Sequence, residues 1–144
     1  MIKDGLFKMS GFNKSNKILL IKIFENLGRI EELAKSVSFF FTNIYNVESE
    51  FGKRKKYATI AKQIIFLVIQ RSNSIIWHIF NSIDKLKQAE ISDSLKNNIS
   101  ELQSLIKSIE NDYEKGKYKG ITEKLKEIGV KSEKIKIKLE KNLG

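Results

Sequence analysis

A chain of 144 residues, 41% hydrophobic and 31% charged, is long enough to bury one core and polar enough to keep a wet surface. Its formal net charge of +10 attracts anionic partners: nucleic acid, anionic lipid, sulfated polysaccharide or an acidic protein surface. The absence of cysteine excludes disulfide frameworks, thiolate zinc sites and cysteine nucleophiles, and the absence of proline favours long uninterrupted helices.

Residues 1–16 hold Gly5 and Gly11 and show no clean period. They are expected to form a flexible arm, with Phe7, Met9 and Phe12 able to tuck against a neighbour. Met1 to Phe7 lacks the sustained apolar run of a signal peptide. Residues 17–144 are expected to form a single helical-bundle domain.

The first helix is predicted to start at a cap on Ser15 or Asn16, whose side-chain oxygens accept free backbone N–H groups. Leu20, Ile23, Leu27, Ile30, Ala34, Val37, Phe41 and Ile44 then step by three and four, flanked by Leu33, Phe40 and Val47. That wide stripe belongs to a bundle helix. Phe51 resumes the series and Gly52 is placed to end it.

The second helix, Tyr57 to about Gln88, is the most apolar stretch. Ile60, Ile64, Leu67 and Val68 are read as its inner side, continued by Ile75, Ile79, Ile83 and Leu86. Phe66, Ile69, Ile76 and Phe80 are surplus to one stripe. Such a helix is surrounded by neighbours or exposes a contact surface. The polar insert Gln70–Ser74 is predicted to be a kink or an outward-facing turn. Lys62, Gln70, Arg71, Asn73 and His78 argue against a transmembrane segment.

Ser92, Asp93 and Ser94 are capping types before a third helix that carries Leu95, Ile99, Leu102, Ile106, Ile109 and Tyr113. Residues 114–120 form a turn with two glycines. The fourth helix is predicted from Ile121, capped by Thr122, along Leu125, Ile128, Ser132, Ile135, Leu139 and Leu143. The expected fold is all-α, an antiparallel up-and-down bundle of four helices, or five if the second breaks at its insert.

Catalytic chemistry is hard to place on this pattern. His78 is the only histidine and lacks partners at triad or metal-ligand spacing. The carboxylates at Glu31-Glu32, Glu110/Asp112/Glu114 and Glu123/Glu127 have lysines nearby and read as solvated ion pairs. No phosphate loop, HExxH, GxSxG or EF-hand pattern occurs, so a non-enzymatic chain without metal or cofactor is expected.

Three features suit partner binding instead. Lys53, Arg54, Lys55 and Lys56 are adjacent cations that an anionic partner would relieve, although cations after a helix also complement its dipole. Lys115, Lys117 and Lys119 surround Tyr118 at the start of a lysine-rich zone reaching Lys141, which suits phosphate neutralisation with stacking on the tyrosine, or simply a solvated face. Phe39, Phe40 and Phe41 cannot all face one side of a helix, and Phe39 is expected to point away as an anchor.

The proline-free, Lys/Ile/Asn-rich texture, with Ser104-Leu105-Ile106-Lys107-Ser108-Ile109-Glu110-Asn111-Asp112-Tyr113 and Ile121-Thr122-Glu123-Lys124-Leu125-Lys126-Glu127-Ile128, resembles the helical ectodomains of Borrelia outer-surface lipoproteins. The likeness covers residues 17–143 and is one of composition and pattern. It implies a binder of host protein at the cell outer membrane, lipid-anchored in a longer form of the chain, with complement regulators such as factor H as a ligand class and complement evasion as the virulence role. The alternatives are a cytoplasmic basic protein that binds nucleic acid and a helical homo-oligomeric assembly protein.

Overall fold

The structure is a computed structural model. It describes residues 14–43, 55–87, 89–117 and 120–143, without the side chains of 14, 55–59, 89, 142 and 143. Among the described residues there are four α-helices: α1 (Lys14–Asn43), α2 (Lys55–Asp84), α3 (Ala89–Glu114) and α4 (Ile121–Leu143). They pack as a ring in which α1 touches α2 and α4, and α3 touches the same two. The closest partners are α1 and α4. Neighbours run antiparallel: Lys35 meets Glu133 while Glu31 meets Lys136, and Asp84 meets Lys96 while Asn73 meets Glu110. Among the described residues there is no strand, and no helix is long and apolar enough to cross a membrane.

The inner stripe of α1 is the one its spacing predicts. Leu20, Ile23, Leu27, Ile30, Ala34 and Phe41 are buried, with Val37 half-buried. In α3 the buried set is Leu95, Ile99, Leu102, Ile106 and Ile109; in α4 it is Ile121, Leu125, Ile128, Ser132, Ile135 and Leu139. Ser132 has no exposure, and its hydroxyl donates to the Ile128 carbonyl at 2.8 Å, so the polar group is satisfied inside its own helix.

The phase of α2 differs from the expected one. Its buried seam is Ala61, Ile65, Val68, Ser72, Ile76, Ile79 and Ile83. Ile60 and Leu67 therefore turn outward, at 43% and 50% exposure. Ile69 and Ile76 are core rather than surplus. α2 runs through the polar insert without a break, with Ser72 facing the core and Gln70, Arg71 and Ser74 facing solvent. Asn73 donates across to the Glu110 carboxylate on α3 at 3.1 Å. Four helices are thus described, not five, and α2 is one wall of the ring rather than its axis.

The helix ends also differ in detail. α1 begins at Lys14, so Asn16 lies within it and does not serve as its cap. Asn16 is instead buried and accepts from the Lys87 N–H at 3.3 Å in the α2–α3 turn. α3 begins at Ala89, which puts Ser92 to Ser94 inside the helix. The Ser92 hydroxyl reaches the Ile83 carbonyl at 3.5 Å. The α3 end is closed by a Schellman arrangement. Gly116 has φ 68°, its N–H donates to the Tyr113 carbonyl, and the Lys117 N–H donates to Asp112 at 2.8 Å. The first bond of α4 runs from the Lys124 N–H to the Gly120 carbonyl, so Gly120, with φ 86°, holds the cap position expected for Thr122.

Candidate functional site

Several candidate binding residues lie towards one end of the bundle. The antiparallel order brings the C-terminal turns of α1 and α3 beside the first turns of α2 and α4. Phe39 is near the end of α1 and is 60% exposed. Phe41 is buried and Phe40 half-buried, with their ring centroids 5.8 Å apart. The three consecutive aromatics divide as helical geometry requires: one in the core, one at its edge, one in solvent. Lys115 and Lys117 flank Gly116 in the turn after α3, and both are exposed. There they complement the negative end of the α3 dipole. Lys53, Arg54, Tyr118 and Lys119 lie outside the described residues. Lys55 and Lys56 open α2, with side chains outside the described set.

The lysine-rich zone along α4 has a different character from that turn. Lys124 holds Asp112 and also the Ser108 hydroxyl of α3, and Lys131 holds Glu101 of α3. Lys136 reaches Glu31 of α1 at 2.9 Å, with its ammonium 5.1 Å from the centre of the Phe24 ring. Lys35 of α1 bridges Glu31 at 2.7 Å and Glu133 of α4 at 2.6 Å. Helical spacing alone points to pairs within one helix. The structure uses many of these charges between helices, where they fix the pairing of faces.

The electrostatics follow the geometry. Partial burial of Glu31 favours its neutral form, but hydrogen bonds from Lys35 and Lys136 outweigh it and hold the carboxyl below its ordinary value. Hydrogen bonds to Glu133 and Glu31 raise Lys35. The hydrogen bond from Lys131 lowers Glu101.

Of the two glycines at the α1–α4 contact, one is needed for close approach. A Cβ on Gly129 would lie 2.8 Å from the Lys35 Cγ, so the lysine stem runs over that glycine. A Cβ on Gly28 would meet only the Lys136 ammonium, at an ordinary 3.7 Å.

His78 is exposed on α2, with the Trp77 ring edge-on at 5.1 Å. Among the described residues no group of three His, Cys, Asp or Glu is placed to hold a metal. A groove between α3 and α4 has Glu90, Ser94, Asn98 and Lys138 around a floor of Ile91, Leu95, Ile135 and Leu139. Its polar groups include no base paired with a nucleophile.

An outward apolar face of α2 is expected from the sequence with Phe66 in it, but Ile60, Leu67 and Trp77 are members of it that sequence reasoning missed. Trp77 is 62% exposed, and Ile60, Phe66 and Leu67 are also exposed. Phe66 stacks on Tyr113 of α3 at 6.2 Å between centroids, which leaves its other side open. The signal was present in Ala61 and Ser72, whose spacing with Ile65, Val68, Ile76 and Ile79 marks the true inner seam. No known family, curated protein or solved structure matches this chain.

Proposed function

We propose that the chain is a non-enzymatic helical binding module of a bacterial surface, which takes an acidic patch of a host protein at the basic end of its bundle. The observation supporting this reading is the exposure of Phe39, Lys115 and Lys117 towards the end of the bundle where α2 starts at Lys55. An exposed aromatic and exposed cations at one end suit a contact in which charge steers encounter and a ring anchors it. The resemblance in composition and pattern supplies the ligand class, complement regulators such as factor H.

Surface plasmon resonance with immobilised factor H, followed by capture from serum, tests the reading. Binding should weaken as salt rises. The charge reversals Lys115→Glu and Lys117→Glu together should lower affinity ~10-fold or more, chiefly through slower association. Phe39→Ala should accelerate dissociation. No host protein retained at low salt, or binding indifferent to all three substitutions, overturns it.

A second reading, self-assembly, draws on the apolar surplus of α2. We read that long helix as supplying more apolar surface than the core uses, with the excess serving contact. Its outward residues are Ile60, Phe66, Leu67 and Trp77.

A further inference from the structure

The outer face of α2 carries a second seam. Gln63, Leu67, Gln70, Ser74, Trp77 and Asn81 recur at steps of four and three, the spacing of a coiled-coil contact line. All are exposed except Asn81, which is half-buried. The line lies opposite the buried seam of Ile65, Val68, Ser72, Ile76 and Ile79. Its charge pattern is unusual for this chain. Between Lys62 and Asp84 the only charged residue is Arg71. α1 and α4 carry more closely spaced lysines, which repel a second copy of a chain with net charge +10. A second copy therefore meets few like charges along the middle of α2.

We propose that α2 pairs with α2 of a second copy, antiparallel, about a two-fold axis at Ser72. The seam is symmetric about that residue. Antiparallel pairing sets Leu67 against Trp77 of the second copy, Gln70 against Ser74, and Gln63 against Asn81. Apolar then meets apolar, and amide meets amide or hydroxyl. Each contact occurs twice, as an isologous interface requires. The ends discriminate between orientations. Antiparallel pairing brings Lys62 within about one turn of Asp84 of the second copy, whereas parallel pairing sets Lys62, Arg71 and Asp84 each against its own like charge. Asp84 keeps Lys96 at 3.2 Å within its own chain, and both side chains remain exposed enough to share. Phe66 flanks the line on the same side as Phe80 of the second copy. The exposed apolar side chains offer on the order of 400 Å² per copy, which belongs to the small, concentration-dependent class of interface.

This pairing uses a different surface from the basic end, so each proposal stands or falls alone. Sedimentation velocity over a wide concentration range should show the mass rising from 16.7 kDa towards twice that value. Leu67→Ala with Trp77→Ala should weaken the dimer ~30-fold or more. Both positions are exposed, so the variant should keep the wild-type far-ultraviolet circular dichroism. Register can be read directly because the chain lacks cysteine. Gln63→Cys and Asn81→Cys chains, mixed and treated with a short bismaleimide, should link to each other and not to themselves. In the antiparallel pair, two copies of residue 63 lie about 27 Å apart along the helices. A monomer at every concentration, a dimer indifferent to the double variant, or self-linking of either cysteine chain overturns the proposal.

Discussion

The α1–α4 contact and the outer face of α2 use similar residues to opposite ends. Along α1–α4, isoleucine and leucine fill the seam while Lys35 and Lys136 lie across it, the Lys35 stem over Gly129, the Lys136 ammonium over the Phe24 ring, and both ammonium groups on Glu31, with Lys35 also on Glu133. On α2 the inner seam is equally well filled, but among the described residues no lysine stem is seen across the outside, and Leu67 and Trp77 are exposed. The fate of an apolar side chain here is decided by its phase on the helix and by whether a lysine stem is at hand to shield it. The contrast also separates two uses of a helix: α4 spends its outer surface on fastening, while α2 leaves its outer surface unfastened.

The largest expected effect comes from the filled side. Leu27→Ala, at a position with no exposure, should destabilise the fold by about 3 kcal/mol in urea unfolding, because the rigid seam cannot collapse onto the gap. Trp77→Ala should cost less than about 0.5 kcal/mol at low protein concentration, although it removes more atoms. Comparable losses at the two sites would erase the contrast.

The glycines sharpen it. Gly129→Ala gains about 1 kcal/mol of helix propensity, but it drives a methyl group into the Lys35 stem, and a net destabilisation of about 1 kcal/mol is expected. Gly28→Ala meets only ordinary contact and should stabilise by up to about 1 kcal/mol. Opposite signs in thermal melts would establish that α1 and α4 are in closest register at Gly129.

A smaller effect belongs to the charges. Glu31→Gln should cost about 1 kcal/mol near neutral pH. The sign of its pH dependence follows from the lowered carboxyl. Unfolded, Glu31 titrates near about 4.3. Above that pH it is ionised in both states and its contribution is fully present; as pH falls the unfolded chain takes up the proton first, and the contribution is lost through the folded value. The variant should therefore show a flatter acid limb in unfolding free energy against pH. The smallest signal is optical. Trp77 is the sole tryptophan, so its fluorescence should be open to acrylamide in dilute solution.

Legibility in the sequence tracked the strength of the hydropathy signal. Leu20 to Phe41 on α1, Leu95 to Ile109 on α3 and Ile121 to Leu139 on α4 lie along the stripes their spacing predicts, because polar residues dominate the opposite faces of those helices. On α2 apolar residues occur on every side, and the seam is instead marked by Ala61 and Ser72, which a hydropathy reading discounts. The turns show a second limit. Asn16 is a capping residue by type, but its partner, Lys87, is set by the tertiary fold. Gly120 outranks Thr122 because the turn demands a positive φ that only glycine adopts freely. Of the candidate site, the outward direction of Phe39 was readable from three consecutive aromatics. The cross-helix pairing of Lys131 and Lys136 was not, since spacing along one helix says nothing of the facing one.

The ring has a temporal consequence. Its most extensive contact joins the first described helix to the last, and Glu31 finds Lys136 only after the other described helices exist. The neighbouring pairs α1–α2, α2–α3 and α3–α4 close over shorter connections and can dock early, whereas the α1–α4 contact must wait for the widest loop among the described helices. During synthesis α1 emerges before the other described helices, and its packing is completed last. Its apolar stripe from Leu20 to Phe41 is then the surface that a nascent chain must keep from other partners until α4 leaves the ribosome.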